Sequence, residues 1–210
     1  SAIAVAGGRP ELIVHGIADA AALDEHLERA DVVALGPGLG RSAWARAICD
    51  RVLAAGRPTV IDADGLNLIA EQGLPARDHW ILTPHPGEAA RLLAVTTAEI
   101  QGDRLGALER LAVRYGGIVV LKGAGTLVGS RQRVAAICER GNPGMAVPGM
   151  GDVLTGAIAG VLAQCGDPWA AARVGVLVHA MAGDAEARHG ERGLLASEVA
   201  RELRTWVNLQ

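Results

Sequence analysis

Residues 31–67 read DVVALGPGLGRSAWARAICDRVLAAGRPTVIDADGLN, and their pattern decides the fold. Two short β-branched runs, 31–36 and 58–62, flank a helical stretch over 42–55 whose first residue, Ser42, is a good N-cap. A strand, a helix and a second strand in this order predict a βαβ unit with parallel strands. The fold class predicted from this unit is α/β, with a doubly wound sheet.

The same alternation continues downstream. Two more strands are predicted at 80–83 and 118–122, and the runs at 126–129 and 133–138 predict two further strands that pair antiparallel. Further helices are predicted at about 20–29, 98–115, 151–164, 168–189 and 196–207, with short ones after residues 67 and 88. Because the chain has no internal repeat, low-complexity tract or linker, we expect one domain over residues 1–210.

Composition excludes several classes of protein. Half of the residues are hydrophobic and the net charge is −3, which is too mild for binding to nucleic acid through phosphate contacts. The cysteines, Cys49, Cys138 and Cys165, are odd in number and widely spaced, so neither a disulfide framework nor a zinc site is expected. The longest apolar run, 153–163, is shorter than the ~20 residues that cross a bilayer. We therefore expect a cytoplasmic protein without a membrane span.

The residues with chemical potential follow the strands. Four predicted strands end in GPGLG (36–40), DADGLN (62–67), TPHPGE (83–88) and KGAG (122–125). These are carboxyl ends, which form the ligand-binding edge of an open parallel sheet. The first of these segments, with Gly38 and Gly40, is by itself equally consistent with a tight βα connection.

The segment GNPGMAVPGMGD (141–152) stands directly before an apolar helix. Small residues allow backbone N–H groups to converge, and a helix N-terminus adds partial positive charge, so the segment is suited to hold a phosphate. Asp152 beside such a site can accept a hydroxyl proton as the oxygen attacks phosphorus. The alternative is that Asp152 only interacts with the helix dipole; the glycines around it favour the catalytic role.

Lys122 is the one lysine among 20 basic residues. It is predicted at a strand end, before Gly123 and Gly125, where a compact ammonium fits beside nucleotide phosphates and a guanidinium is too large. The Thr126 hydroxyl and the backbone amides add donors. The alternative is an exposed lysine at the end of a strand.

For other polar residues at this edge, the sequence is consistent with either a functional or a structural role. His85, between two prolines, can bind a polar substrate group or be a structural turn residue, and Glu88 can simply cap the next helix. Asp62, Asp64 and Asn67 fit either a magnesium and water network or hydrogen bonding within loops.

Five segments in this order, GPGLG, VIDADGLN, LTPHPGE, VVLKGAGT and GNPGMA..GMGDVLTG, resemble the ADP-dependent NAD(P)H-hydrate dehydratases, a ribokinase-like metabolite-repair family. The resemblance runs from about Arg9 to the C-terminal helices. It implies a ribokinase-like three-layer sandwich, with helices on both faces of a mostly parallel sheet. It also implies conversion of the hydrates NADHX and NADPHX to NADH and NADPH, with ADP or ATP as co-substrate and Mg²⁺.

The resemblance also implies roles for individual residues. The family's nucleotide contacts fall on Lys122, Gly123, Ala124, Gly125, Thr126 and Gly151, and its hydrate contacts fall on Gly38, Gly40, His85 and Asp152. Asp152 is then the catalytic residue that assists phosphorylation of the hydrate hydroxyl, after which phosphate leaves. The family further implies a homo-oligomer, commonly a tetramer.

Two departures from the family pattern matter. Pro148 stands where the family usually has Gly, and proline lacks an N–H for the anion loop. The family domain also begins earlier, with elements that line the hydrate pocket, so we expect a domain truncated at its N-terminus. Two other hypotheses remain: a small-molecule kinase of the same fold, for a vitamin precursor or a sugar, and a nucleotide-binding module without turnover.

Overall fold

The computed structural model describes residue 8 and residues 11–208, so the outermost ends of the predicted domain lie outside the described residues. Within the described part, six strands form one sheet whose spatial order follows the chain. The strands are β1 (Val33–Leu35), β2 (Thr59–Ile61), β3 (Trp80–Leu82), β4 (Ile118–Leu121), β5 (Thr126–Ser130) and β6 (Arg133–Cys138).

Nine α-helices lie in the described residues. They are α1 (Asp24–Arg29), α2 (Ala43–Ala54), α3 (Ala63–Gln72), α4 (Pro86–Leu93), α5 (Thr97–Gly102), α6 (Arg104–Tyr115), α7 (Met150–Cys165), α8 (Pro168–Glu186) and α9 (Ala196–Val207). Short 3₁₀ turns cover Ala20–Leu23, Pro143–Met145 and Ala187–His189. The predicted N-cap of α2 is confirmed, because Ser42 Oγ accepts a hydrogen bond from the Ala45 N–H at 3.2 Å.

The strand directions agree with the sequence prediction. Strands β1 to β4 pair in parallel, with Leu35 opposite Ile61 and Ile61 opposite Leu82. Strands β5 and β6 then turn back antiparallel. The carboxyl ends of four parallel strands therefore meet at one edge of the sheet.

Alternate residues of the strands face two separate cores. Ile61, Leu82 and Leu121 pack against the helices that follow the first strands, α2 to α6. Val60, Ile81 and Val120, on the other face, pack against α7 and α8. The three-layer α/β sandwich is confirmed. Within the described residues the sheet is not doubly wound, however, because the helices of the parallel crossovers all lie on one face and the C-terminal helices form the second layer.

The predicted helix over 98–115 is wrong in one respect. It is two helices that meet at Asp103, whose Oδ1 accepts a hydrogen bond from the Gly106 N–H at 2.8 Å and so starts α6. An Asp that bonds to nearby backbone competes with helix continuation, which is why the long periodic pattern breaks there. The predicted helices at 20–29 and 168–189 also each contain a 3₁₀ turn, at the start and at the end respectively.

Candidate active site

The first two strand ends are held together by glycines. Gly36 has a φ of +128°, and a Cβ there would lie 1.8 Å from the carbonyl oxygen of Asp62. Only glycine permits this approach. The GPGLG loop is anchored a second time, because the Gly40 N–H donates to Asp64 Oδ2 at 2.8 Å.

A buried ion pair lies at the centre of this edge. Lys122 Nζ donates to Asp62 Oδ1 at 2.7 Å, and the Thr155 hydroxyl donates to Asp62 Oδ2 at 2.8 Å. Asp62 is 1% exposed, and the Lys122 side chain is 17% exposed. Both carboxylate oxygens are therefore satisfied, and the pair joins the ends of β2 and β4 to the first turns of α7.

Glu88 contributes a second carboxylate near the same ammonium. Its Oε2 lies 3.8 Å from Lys122 Nζ and also accepts the His85 N–H at 2.8 Å, which completes a capping box at the start of α4. The His85 ring is half exposed, and its Nδ1 accepts the Gly87 N–H at 2.9 Å. Glu88 thus caps the helix, as one hypothesis stated, and in addition adds negative charge beside Lys122.

The three polar side chains of the DADGLN segment, Asp62, Asp64 and Asn67, each contact another element of the fold. Asp64 bonds to Gly40, and Asn67 Oδ1 accepts a hydrogen bond from Arg91 Nε at 2.8 Å. Asp62 pairs with Lys122. Within the described residues, no group of three or more His, Cys, Asp or Glu side chains could hold a metal ion. Each of these three side chains thus makes a hydrogen bond or an ion pair with another element of the fold.

The start of α7 approaches the ion pair closely. A Cβ on Gly151 would lie 3.2 Å from Lys122 Nζ and 3.5 Å from Asp62 Oδ2, so a side chain at this position would crowd the pair. Gly149, with a φ of +85°, is the N-cap residue of the helix. Asp152 follows in the first turn and is exposed. The first turn of α7 therefore lies close to the Lys122 ammonium at Gly151, the residue before Asp152.

A cavity of about 540 Å³ opens beside this centre. Its lining includes Lys122, Gly123, Ala124, Gly125, Thr126 and Gly151, which are all six predicted nucleotide contacts. It also includes apolar side chains, among them Met145, Met150, Leu154, Val176 and Ala180. A lining with both polar backbone and apolar side chains suits a phosphorylated ligand with a flat apolar part. Gly38, Gly40, His85 and Asp152 do not line this cavity.

The loop after β4 is held by a residue that sequence analysis missed. The Arg104 guanidinium, at the start of α6, donates to the carbonyl oxygens of Leu121 at 3.2 Å, Lys122 at 3.4 Å and Ala124. The Thr126 hydroxyl donates to the Gly123 carbonyl at 2.9 Å. These bonds hold the carbonyl groups of the loop and fix its shape.

The GNPGM segment is tied to α8. Asp184 accepts hydrogen bonds from the Gly141 N–H and from Asn142 Nδ2, both at 3.1 Å. Gly183 leaves room for Met145, since a Cβ there would lie 2.3 Å from Met145 Sδ. The segment is thereby fixed as one wall of the cavity.

His179 on α8 also lines the cavity and is 7% exposed. Burial lowers the pKa of His179 to about 4, and the charge on Lys122 lowers it as well, whereas a hydrogen bond to the Met150 backbone acts in the opposite direction. The ring is therefore neutral at pH 7.

Thr155, Arg104, Asp184 and His179 are the site residues that sequence analysis did not identify. Their partners lie between 17 and 93 residues away in the chain, so no local pattern marks them. One signal was available for Thr155, because it is the polar residue inside the apolar helix that follows GMGD.

Comparison with known proteins shows the family to which this chain belongs. The sequence profile of the NAD(P)H-hydrate dehydratases matches residues 1–205. The chain is 49% identical over 205 residues to a bifunctional NAD(P)H-hydrate repair enzyme of Coxiella burnetii, covering 97% of this chain and 42% of that protein. It is 47% identical to the Escherichia coli enzyme of the same name, covering 95% of this chain and 39% of that one. The chain thus spans about two fifths of the length of these relatives.

Solved structures agree with the sequence comparison. The ADP/ATP-dependent NAD(P)H-hydrate dehydratase of Bacillus subtilis, co-crystallized with ATP and Mg²⁺, has a TM-score of 0.87 and 31% identity, covering 98% of this chain and 74% of that chain. A ribokinase from Arabidopsis thaliana, at a TM-score of 0.57 and 15% identity, covers 89% of this chain and 60% of that chain and shares the fold. None of the helices in the described residues is long and apolar enough to span a membrane. Profile, relatives and fold together show that this chain belongs to the NAD(P)H-hydrate dehydratase family.

Proposed function

We propose that this chain binds ADP or ATP in the 540 Å³ cavity and uses it to dehydrate NADHX and NADPHX to NADH and NADPH. The observation that carries the proposal is that the Lys122–Thr126 loop and the start of α7 line the same cavity. On α7 this lining includes Gly151, the residue before Asp152. The loop amides and the helix N-terminus provide donors for phosphate oxygens. The B. subtilis relative was crystallized with ATP and Mg²⁺, which supports a nucleotide with Mg²⁺ as co-substrate here.

The proposed chemistry has two steps. First, the hydroxyl oxygen of the hydrate attacks the terminal phosphorus of ADP, Asp152 accepts the hydroxyl proton, and AMP leaves. Second, the C–O bond breaks, phosphate departs with the bonding electrons, and loss of a ring proton forms the nicotinamide double bond. Hydroxide is a poor leaving group and phosphate a good one, which is why the reaction needs a nucleotide.

The exposed Asp152 and the GPGLG and TPHPGE loops do not line the cavity. We propose that the hydrate binds there, against Gly38, Gly40 and His85, so that its hydroxyl meets the phosphate at Asp152. Asp64 supports this by holding Gly40, and Glu88 by capping the helix that begins after His85. We further propose that the protein works as a homotetramer in the cytoplasm.

The test is incubation with NADHX, ADP and Mg²⁺, followed through the absorbance of the reduced nicotinamide. We expect Asp152→Asn to lower kcat by about 10²–10⁴-fold while ADP binding stays within a few-fold, because the amide keeps the shape but cannot accept the proton. The matched control is Asp24→Asn, which changes another first-turn carboxylate far from the site. Activity of Asp152→Asn within a few-fold of the parent would contradict the assigned role. Phosphoryl transfer to another alcohol would instead identify a kinase, and ADP binding without turnover a nucleotide-binding module.

A further inference from the structure

One side of α8 faces the cavity at helical spacing, through Val176, His179 and Ala180. Of these, His179 is the polar one, and it is more than nine-tenths buried. Its Nε2 has no hydrogen-bond partner within the part of the chain that the structure describes. Since the ring does bond to the Met150 backbone, the nitrogen engaged there is Nδ1, and the ring orientation is fixed by that bond.

A buried ring nitrogen without a partner is uncommon, because it loses its bonds to water and gains none in return. Burial also keeps this imidazole neutral at pH 7. With the proton on Nδ1, Nε2 carries a lone pair and can only accept a hydrogen bond. Phosphate oxygens of a nucleotide are acceptors themselves, so they do not satisfy this atom. A hydroxyl or an amine of the ligand can donate the hydrogen bond that Nε2 lacks.

We propose that Nε2 of His179 accepts a hydrogen bond from the nucleoside half of the nucleotide, from a ribose hydroxyl or from the exocyclic amine of the base. This inference rests on the proposed nucleotide site. The surroundings agree with it, since Met150, Leu154 and Val176 line the same cavity as the imidazole and suit the base and ribose better than the phosphates. Lys122 and the glycine loop, which also line this cavity, are left to bind the phosphates.

Two substitutions distinguish the roles of the two ring nitrogens. In His179→Asn the amide group reaches the position of Nδ1, so the bond to Met150 is kept and the acceptor at Nε2 is lost. In His179→Gln the amide reaches the position of Nε2, so an acceptor is kept. By titration calorimetry we expect His179→Asn to bind ADP about tenfold more weakly than the parent, and His179→Gln to lie closer to the parent. A purely structural role predicts the reverse order.

His79 provides the matched control. Its Nε2 is also buried without a partner among the described residues, but it lies just before β3, at the opposite end of that strand from the site. We expect His79→Asn to leave ADP affinity unchanged. Thermal melts of all variants show whether each is folded at the titration temperature.

Nucleotide analogues test the same contact on the unaltered chain. The affinity of ADP is to be compared with the affinities of 2′-deoxy-ADP, 3′-deoxy-ADP and the diphosphate of purine riboside, which lacks the exocyclic amine. One analogue is expected to bind the parent about tenfold more weakly than ADP and to show no such difference on His179→Asn. The analogue that does so identifies the donor as hydroxyl or amine. If the parent binds ADP but every analogue equally well, or if His179→Asn binds ADP normally, the contact does not exist. Failure of the parent to bind ADP at all would overturn the proposed nucleotide site and this contact with it.

Discussion

Replacement of Asp62 by Asn tests the ion pair on which the site is built. The substitution keeps the shape and an acceptor for the Thr155 hydroxyl, but it leaves the largely buried ammonium of Lys122 without its 2.7 Å partner. Removal of one member of a buried pair costs about 3–5 kcal/mol. Because Glu88 Oε2 remains 3.8 Å from the same ammonium, we expect the lower end of that range, about 3 kcal/mol of unfolding free energy.

The assay is urea denaturation, with Asp24→Asn as the matched control. Asp24 pairs with Arg51, and both side chains are nearly half exposed, so solvent screens the pair and this substitution is expected to lower the unfolding free energy much less than Asp62→Asn does. Lys122→Met provides the second comparison. It removes the cation that lies near the two buried carboxylates of Asp62 and Glu88 and is expected to destabilise more than Asp62→Asn does. If Asp62→Asn costs no more than Asp24→Asn, the pair is not an organising element of this edge.

Three further predictions follow from the same structure. His179 has a pKa of about 4 when folded and 6.5 when unfolded, so as the pH falls the unfolded chain takes up the proton first and the unfolding free energy declines between these values by about 3 kcal/mol. His179→Gln should remove this pH dependence in chemical denaturation, and an unchanged dependence would contradict the prediction. Lys122→Arg is expected to weaken ADP binding nearly as much as Lys122→Ala, since the backbone of Gly151 lies close to the ammonium and a guanidinium is larger. Normal ADP affinity of the arginine variant would show that the space is not restrictive. Light scattering is expected to give a tetramer, consistent with exposed Val174 and Leu177 on α8, whereas a monomer over a wide concentration range would refute the assembly.

Much of the fold follows from local patterns. The β-branched runs, the helical periodicity between them and the Ser42 cap are visible in the sequence, and the structure has the strands, the helices and the cap at these places. The break at Asp103 was missed because a periodic apolar pattern outweighed one capping residue. It was also not evident that the C-terminal helices form the second helical layer, since the face of the sheet that a helix covers depends on packing and not on the helix's own sequence.

The sequence by itself determined that the glycine-rich segments and Lys122 meet at one edge of the sheet. Glycines and the solitary Lys122 follow successive strands, and parallel strands necessarily bring their carboxyl ends together. The partners of these residues were decided by tertiary structure alone. Lys122 and Asp62 are 60 residues apart, and Asp62 and Thr155 are 93 apart, so their contact exists only once the sheet and α7 are packed. The same holds for Arg104 on the glycine loop and for the pKa of His179, because burial and charge proximity are properties of the folded chain rather than of any segment of it.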